Sequence, residues 1–362
     1  MSQEIVGRRL KWFREQRQRS QSSVCAEVGI NDRQTLSDIE AGKRRVNAEE
    51  LVRLSRALSV DLDDLLDPFR LVGEGGFNFR AKNVAADVVG AFEQKASRWI
   101  ATYRELGRRK GIEPPRIGEK LELTKASSFE DVQASADALG REWKLGAIPA
   151  RKLEQAIERH MNTLILHVDA PDGLSGAAST LPGLRTIIVN RNEPQSRRMF
   201  DLAHELFHIL TWDAMEPARV EEWEPLPTKG NRVEQLAENF ASALLMPSDA
   251  ICVRWQKRAD ADLVEWARTT AHQLWVSPRA LGWRLHNLGL VSKAAAVGLA
   301  GVSGLAGAPP PRPFSFRFVE LVRDAVESGH LSVRRAASLL GLSLGRFSEL
   351  CRSYDLPLSY EP

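Results

Sequence analysis

Two histidines stand four residues apart in Phe200-Asp-Leu-Ala-His-Glu-Leu-Phe-His-Ile-Leu-Thr-Trp212. On a helix, His204 and His208 share one face, one turn apart. Two such imidazoles suit one tetrahedral Zn²⁺ at about 2.0–2.1 Å. Glu205 completes an H-E-x-x-H pattern, in which the acid serves as general base. Catalytic zinc asks for three protein ligands and one open position, so a further donor must come from elsewhere. "NRVEQLAENFASALLMPS", 231–248, reads as a second helix with Val233, Leu236, Phe240, Ala243 and Leu244 as its buried stripe. It carries Glu234 and, one turn on, Glu238, which is spaced to accept a hydrogen bond from a ligand histidine's free N–H and fix its tautomer. The plainer reading is that these are core histidines and solvated acids.

The elements that must position these groups lie on either side. "TLILHVDA" (163–170) and "LRTIIVNRN" (184–192) are β-branched runs bounded by Gly and Pro, and predict two strands. The stretch 184–190 is expected to offer an edge to which a substrate backbone adds, or else to be a core strand. Residues 80–123 read as largely helical with a break at Pro114–Pro115, and 128–146 and 149–162 as further helices. Helical pattern returns from Gln195 to Asn287, interrupted by a Trp/Pro-rich loop over 212–230. "VGEGGFNF" (72–79) reads as a Gly-rich hinge and 294–313 as an Ala/Gly/Pro linker.

A length of 362 residues suggests two or three domains. The hydrophobic fraction of 43% and charged fraction of 27% are ordinary for a soluble globular protein. A net charge of only +3 means that nucleic-acid binding must come from a local patch. Arg8, Arg9, Lys11, Arg14, Arg17 and Arg19, with Lys43, Arg44 and Arg45, form such a patch or else a solvated helix face. Cys25, Cys252 and Cys351 are too scattered for a disulfide framework or a Cys-based zinc site. With no apolar run near the ~18 residues of a membrane span and no signal-peptide core, the expectation is a cytoplasmic protein with no membrane partner.

The central residues resemble the ImmA/IrrE family of metallopeptidases over roughly Phe79 to Val291. The resemblance is carried by "IIVNRNEPQSRRMFDLAHELFHIL", "VEQLAENFASALLMP" and "LWVSPRALGWRLHNLGLV". It implies zinc as cofactor, His204, His208 and Glu234 as its ligands, and Glu205 as the base. Where the family usually has Gly, this chain has Phe207, a change of packing between the ligands. No residue stands out for stabilising an oxyanion; His160, His167 and His272 are candidates by residue type alone.

Residues 5–66 resemble the Xre/Cro-type helix-turn-helix domain, through "SQSSVCAEVGI", "RQTLSDIEAGKR" and "ELVRLSRALSVDLDDLL". A recognition helix of this type enters the major groove by its N-terminal residues. That makes Arg33, Gln34 and Ser37 the expected base readers, Gln21 a phosphate contact, and Lys43 and Arg44 backbone anchors. The turn "GINDRQ" is one residue longer than the usual pattern, and Asp38 is acidic where neutral or basic residues are common. A domain that binds protein or only dimerises is the competing reading.

The expected fold is multidomain and mainly α. A five-helix helix-turn-helix domain (1–68) precedes an α+β zincin-like peptidase domain with a small sheet (69–293). The latter comprises a helical lead-in over 80–146, a catalytic core over about 147–250 and a helical end over 251–293. The linker (294–313) and a small helical domain (314–362) follow. The implied function is a DNA-binding zinc endopeptidase that cleaves a transcriptional repressor or antitoxin-like regulator, relieving repression under stress or in a mobile-element switch. Its partners would be operator DNA, that protein substrate, and a second copy in a homodimer reading paired half-sites. The alternative is a transcriptional regulator whose peptidase-like domain senses or binds with little or no proteolysis.

Overall fold

Helix caps written into the sequence set out the first elements of the computed structural model, which describes residues 3–112, 120–222, 231–258 and 261–359. The helices are α1 (Gln3–Gln16), α2 (Gln21–Val28), α3 (Arg33–Glu40), α4 (Ala48–Ala57), α5 (Leu62–Leu66), α6 (Ala86–Arg109), α7 (Phe129–Glu142) and α8 (Leu153–Met161). They continue with α9 (Gln195–Thr211), α10 (Arg232–Leu245), α11 (Ser248–Gln256), α12 (Leu263–Leu274), α13 (Pro278–Asn287) and α14 (Lys293–Ala300). The last three are α15 (Phe316–Glu327), α16 (Val333–Leu340) and α17 (Leu344–Ser353). The strands are β1 (Gly76–Ala81), β2 (Leu164–Val168), β3 (Leu174–Leu181), β4 (Leu184–Asn190) and β5 (Val220–Glu222). Among the described residues, no helix is long and apolar enough to cross a membrane.

The chain divides into two compact units. One comprises Met1–Gly75, Glu93–Ile112 and Glu320–Pro362. In it the Ser20 hydroxyl accepts from the Ser23 N–H, and the Asp32 carboxylate from the Thr35 N–H. Asn47 and Glu50 form a reciprocal capping box. Gly29 ends α2 at φ 68°, a left-handed conformation that a Cβ disfavours. Val6, Leu10, Val24, Leu36, Ile39 and Leu54 bury the inner faces of α1–α4. The buried Arg9 donates to the carbonyls of Leu65, Asp67 and Arg70 at 3.2, 2.9 and 2.5 Å, holding the chain at the end of α5. The expected five-helix arrangement is therefore present. In the same unit, α16 and α17 join through Gly341, again left-handed, over buried Leu340, Phe347 and Leu350.

The other unit comprises Gly76–Phe92 and Glu113–Val319. Its sheet has five strands in the order β2-β4-β3-β1-β5. β3 and β4 form an antiparallel hairpin closed by Pro182 and Gly183, β1 runs antiparallel to β3, β2 lies parallel to β4, and β5 parallel to β1. The expected strands at 163–170 and 184–192 are β2 and β4. Three more strands were not expected. β1 lies in the stretch read as a hinge, and its alternation of Phe77 and Phe79 with Asn78 and Arg80 is the strand signal that the glycines masked. β4 is not an edge: β2 and β3 flank it on both sides, so its main-chain groups are already paired. The expected strand-edge role for residues 184–190 is corrected accordingly.

Lys293–Ala300, within the stretch read as linker, is helical, and Ala296 and Leu299 are buried. Further along that stretch, the Ala308 N–H donates to Gln195 Oε1 at 3.0 Å and Arg191 Nε donates to the Pro311 carbonyl at 2.7 Å. Cys25, Cys252 and Cys351 are free thiols, as scattered spacing predicts. The Pro114–Pro115 break and the 223–230 part of the Trp/Pro-rich loop lie outside the described residues.

Candidate metal centre and nucleic-acid interface

α9 is buried almost all round, from Arg198 to Thr211 with Phe200 alone half-buried, so its polar residues Asp201, His204, Glu205 and His208 are enclosed along with its apolar ones. It packs across β3 and β4, and α10 packs beside it. His204, Glu205 and His208 are all fully buried. Glu205 comes close to the sheet at Gly176, where a Cβ would sit 3.5 Å from Glu205 Oε1 and 3.2 Å from the Ile188 carbonyl oxygen.

Glu234, on the first turn of α10, meets both histidines. His204 Nε2 lies 3.1 Å from Glu234 Oε2, His208 Nε2 lies 3.2 Å from Glu234 Oε1, and the two Nε2 atoms are 3.0 Å apart. Four ligands about 2.05 Å from one ion define a tetrahedron with edges of roughly 3.3 Å, so this triangle has the size of one face of a zinc site. Two imidazoles and a carboxylate are also a donor set that zinc accepts. Among the described residues, His204, His208 and Glu234 form the one such cluster.

The electrostatics agree with that fit. Burial, and then the Arg80 guanidinium, push His204 down to about 3, against the pull of Glu234, so its imidazole is in the neutral, ligating form. Burial holds the Glu205 carboxyl well above the usual carboxylate range, with Arg80 opposing. Neither Glu205 oxygen has a hydrogen-bond partner among the described residues, which leaves both for a group brought in from outside.

Glu238 is not brought to a histidine N–H. Its Oε1 faces Arg80 Nη2 at 3.4 Å, while His204 Nδ1 has no hydrogen-bond partner among the described residues. The cause is a buried ion network that spacing did not reveal. Arg80 Nη1 donates to Asp201 Oδ1 at 2.8 Å, and Arg197 Nε donates to Asp201 Oδ2 at 3.0 Å. A buried guanidinium demands carboxylates, and Asp201 and Glu238 supply them. An arginine alternating with phenylalanines in β1 and an aspartate one turn before Glu205 in α9 are the available signals. Phe207 is fully buried, its ring 5.4 Å from that of Phe240, so it fills core volume behind the ligands. The three histidines considered for an oxyanion do not join the donor triangle. His160 stacks on Trp143, His167 Nε2 is 3.1 Å from the Glu154 carboxylate, and His272 is exposed on α12.

In the N-terminal unit, Arg33 and Gln34 are exposed at the start of α3 and Ser37 is half-buried one turn on. Gln21 does more than face outward. Its Nε2 donates to Glu40 Oε2 at 2.8 Å and its Oε1 accepts from Arg33 Nε at 3.0 Å. Glu40 in turn accepts from Arg14 Nε at 2.6 Å, so a chain of bonds sets the Arg33 side chain. Gln34 donates to Asp38 Oδ1 at 2.9 Å. Arg44 is clamped by both Glu50 oxygens at 2.8 and 3.1 Å, whereas Lys43 is exposed.

Comparison with known proteins agrees with this geometry. Residues 10–65 match the helix-turn-helix family model, and residues 157–286 match that of the IrrE N-terminal-like domain, peptidase family M78. No curated protein matches the chain. Among solved structures, the apo competence regulator ComR from Streptococcus vestibularis is 10% identical, with 98% of this chain and 97% of that chain covered at a TM-score of 0.18. The PrgX/iCF10 complex is 10% identical, with 98% of each chain covered at a TM-score of 0.17. Overlaps that low carry no argument. The chain thus joins a helix-turn-helix domain to an IrrE N-terminal-like domain, the architecture of a DNA-binding regulator with a peptidase-family domain.

Proposed function

We propose that the protein is a DNA-binding, zinc-dependent endopeptidase that cleaves a repressor or antitoxin-like regulator to control transcription. The observation that carries this reading is the convergence of His204, His208 and Glu234 on one point beside an unpartnered Glu205. A zinc ion held by those three donors supplies Lewis-acid polarisation of a peptide carbonyl and acidification of water. Glu205 takes a proton from the attacking water and delivers it to the leaving amine. Its burial bears on that exchange, because raising the pKa of the carboxyl makes its ionised form a stronger base. Arg80 and Asp201 hold α9 and β1 together behind the site. The helix-turn-helix domain raises the local concentration of peptidase at an operator where its substrate sits. The setting is the cytoplasm, under stress, with a homodimer on paired half-sites.

The test is co-expression with the proteins encoded beside it. Loss of one band with the wild type and its persistence with Glu205→Gln supports the reading. The complete burial of Glu205 favours the second reading, a regulator whose peptidase-like domain only senses or binds. That reading prevails if Glu205→Gln regulates transcription as the wild type does.

A further inference from the structure

A cleft of about 560 Å³ lies one helical turn from the donor triangle. Phe200, one turn before His204, and Glu238, one turn after Glu234, both line it, so α9 and α10 run directly from the metal centre into the cleft. Ala280 and Trp283 of α13 and Phe129 of α7 line it as well. The volume lies in the range of ligand-binding pockets.

The lining mixes three aromatic residues with the charged Arg197, Glu238, Arg279 and Lys293, and its most buried residue is Ser242. Phe129, Phe200 and Trp283 are half-buried, whereas Ser242 is buried, at 9% exposure. The Ser242 hydroxyl is shielded from water and has no hydrogen-bond partner among the described residues. Its neighbour Asn239 is already committed, accepting from Gln133 Nε2 at 3.3 Å and donating to the Gln235 carbonyl at 2.8 Å. A buried hydroxyl without a partner is costly, and a ligand that supplies one recovers that cost.

We infer that this cleft is the specificity pocket of the peptidase and seats a tyrosine side chain of the substrate polypeptide next to the scissile bond. The ring packs against Phe129, Phe200 and Trp283, and rotation of the Ser242 side chain about its Cα–Cβ bond brings its hydroxyl to the phenol, to which it can donate or from which it can accept. This assignment rests on the endopeptidase reading above and names its substrate class.

Two measurements on the full-length, zinc-loaded chain test it. In the first, N-acetyl-L-tyrosinamide and N-acetyl-L-phenylalaninamide are titrated by NMR. The tyrosine probe binds about 5-fold more tightly, from one extra hydrogen bond. Ser242→Ala brings the ratio to about one, and Ala280→Trp, which fills the cleft, removes both signals while zinc content stays unchanged. Equal binding of the two probes, or retention of binding in Ala280→Trp, overturns the assignment. In the second, a proteome-derived peptide mixture is digested and its new termini sequenced. Tyrosine at one fixed position, lost in Ala280→Trp, supports the pocket. Cutting without that preference overturns the pocket and leaves the peptidase reading standing. Probe binding with no cutting at all overturns the peptidase reading, and with it the role of the cleft as a substrate pocket.

Discussion

His208 Nε2 lies 3.2 Å from Glu234 Oε1, although 26 positions of chain separate the two residues. No local preference creates that contact. It exists because α10 packs beside α9 with Val233, Leu236, Ala237 and Phe240 buried in the shared core. Donor geometry and core packing are therefore one problem in this unit, and substitutions that separate them are informative.

Asp201→Asn removes the negative charge that faces the buried Arg80 and the half-buried Arg197. Breaking a buried ion pair from one side costs about 3–5 kcal/mol. Urea unfolding of the variant is expected to show a loss of that size. A change below about 1 kcal/mol would mean that water already solvates the network.

Phe207→Ala removes a fully buried ring that packs on Phe240 and adjoins His208. The expected loss is about 3–5 kcal/mol of stability, from transfer and cavity terms together. Zinc stoichiometry should hold at low temperature, since the donors are on other positions. Loss of zinc without loss of stability would assign Phe207 a role in orienting His208.

The helices bearing His204, His208 and Glu234 were legible because apolar residues recur with helical period, and Asn231 caps the second of them. The sheet was legible only in part. β3, Leu-Ser-Gly-Ala-Ala-Ser-Thr-Leu, is built of small residues because α9 must come close at Gly176, and small residues carry little hydrophobic pattern. Arg80, Asp201 and the aim of Glu238 were hidden for another reason. Arg80 and Asp201 lie 121 positions apart, and nothing in either segment names its partner. The proposed base readers Arg33, Gln34 and Ser37 lie on α3, as expected, but the link from Gln21 to Arg33 emerged only in three dimensions.

The depressed His204 pKa has a sign that can be tested in the metal-free protein. Below about 6.5 the unfolded chain protonates this imidazole, while the folded chain does not until about 3. The contribution of His204 to stability therefore falls as pH drops through that window. Glu205 acts oppositely, because its raised folded pKa favours the folded state as pH falls toward 4.5. Comparison with His204→Gln isolates the histidine term. With EDTA present, the wild type is expected to lose about 2 kcal/mol relative to His204→Gln between pH 7 and pH 4.5. Parallel pH profiles in urea unfolding would contradict it.

Arg33→Ala should cost about 1–3 kcal/mol of discrimination between a selected DNA site and random DNA, because it removes the proposed base reader, whose side chain Gln21 holds in place. Lys43→Ala should weaken both equally and reduce the salt slope by about one. Gel shifts at two salt concentrations, on DNA selected from a random library, separate the two effects. Unchanged discrimination in Arg33→Ala would favour a protein-binding or dimerising role for this domain.

The most direct measurement of the central claim is metal content of the purified full-length chain by mass spectrometry. One zinc per chain is expected in the wild type and in Glu205→Gln, with loss of tight binding in His204→Ala and Glu234→Ala. A wild type that takes up no zinc, or a Glu234→Ala variant that keeps it with undiminished affinity, would contradict the account.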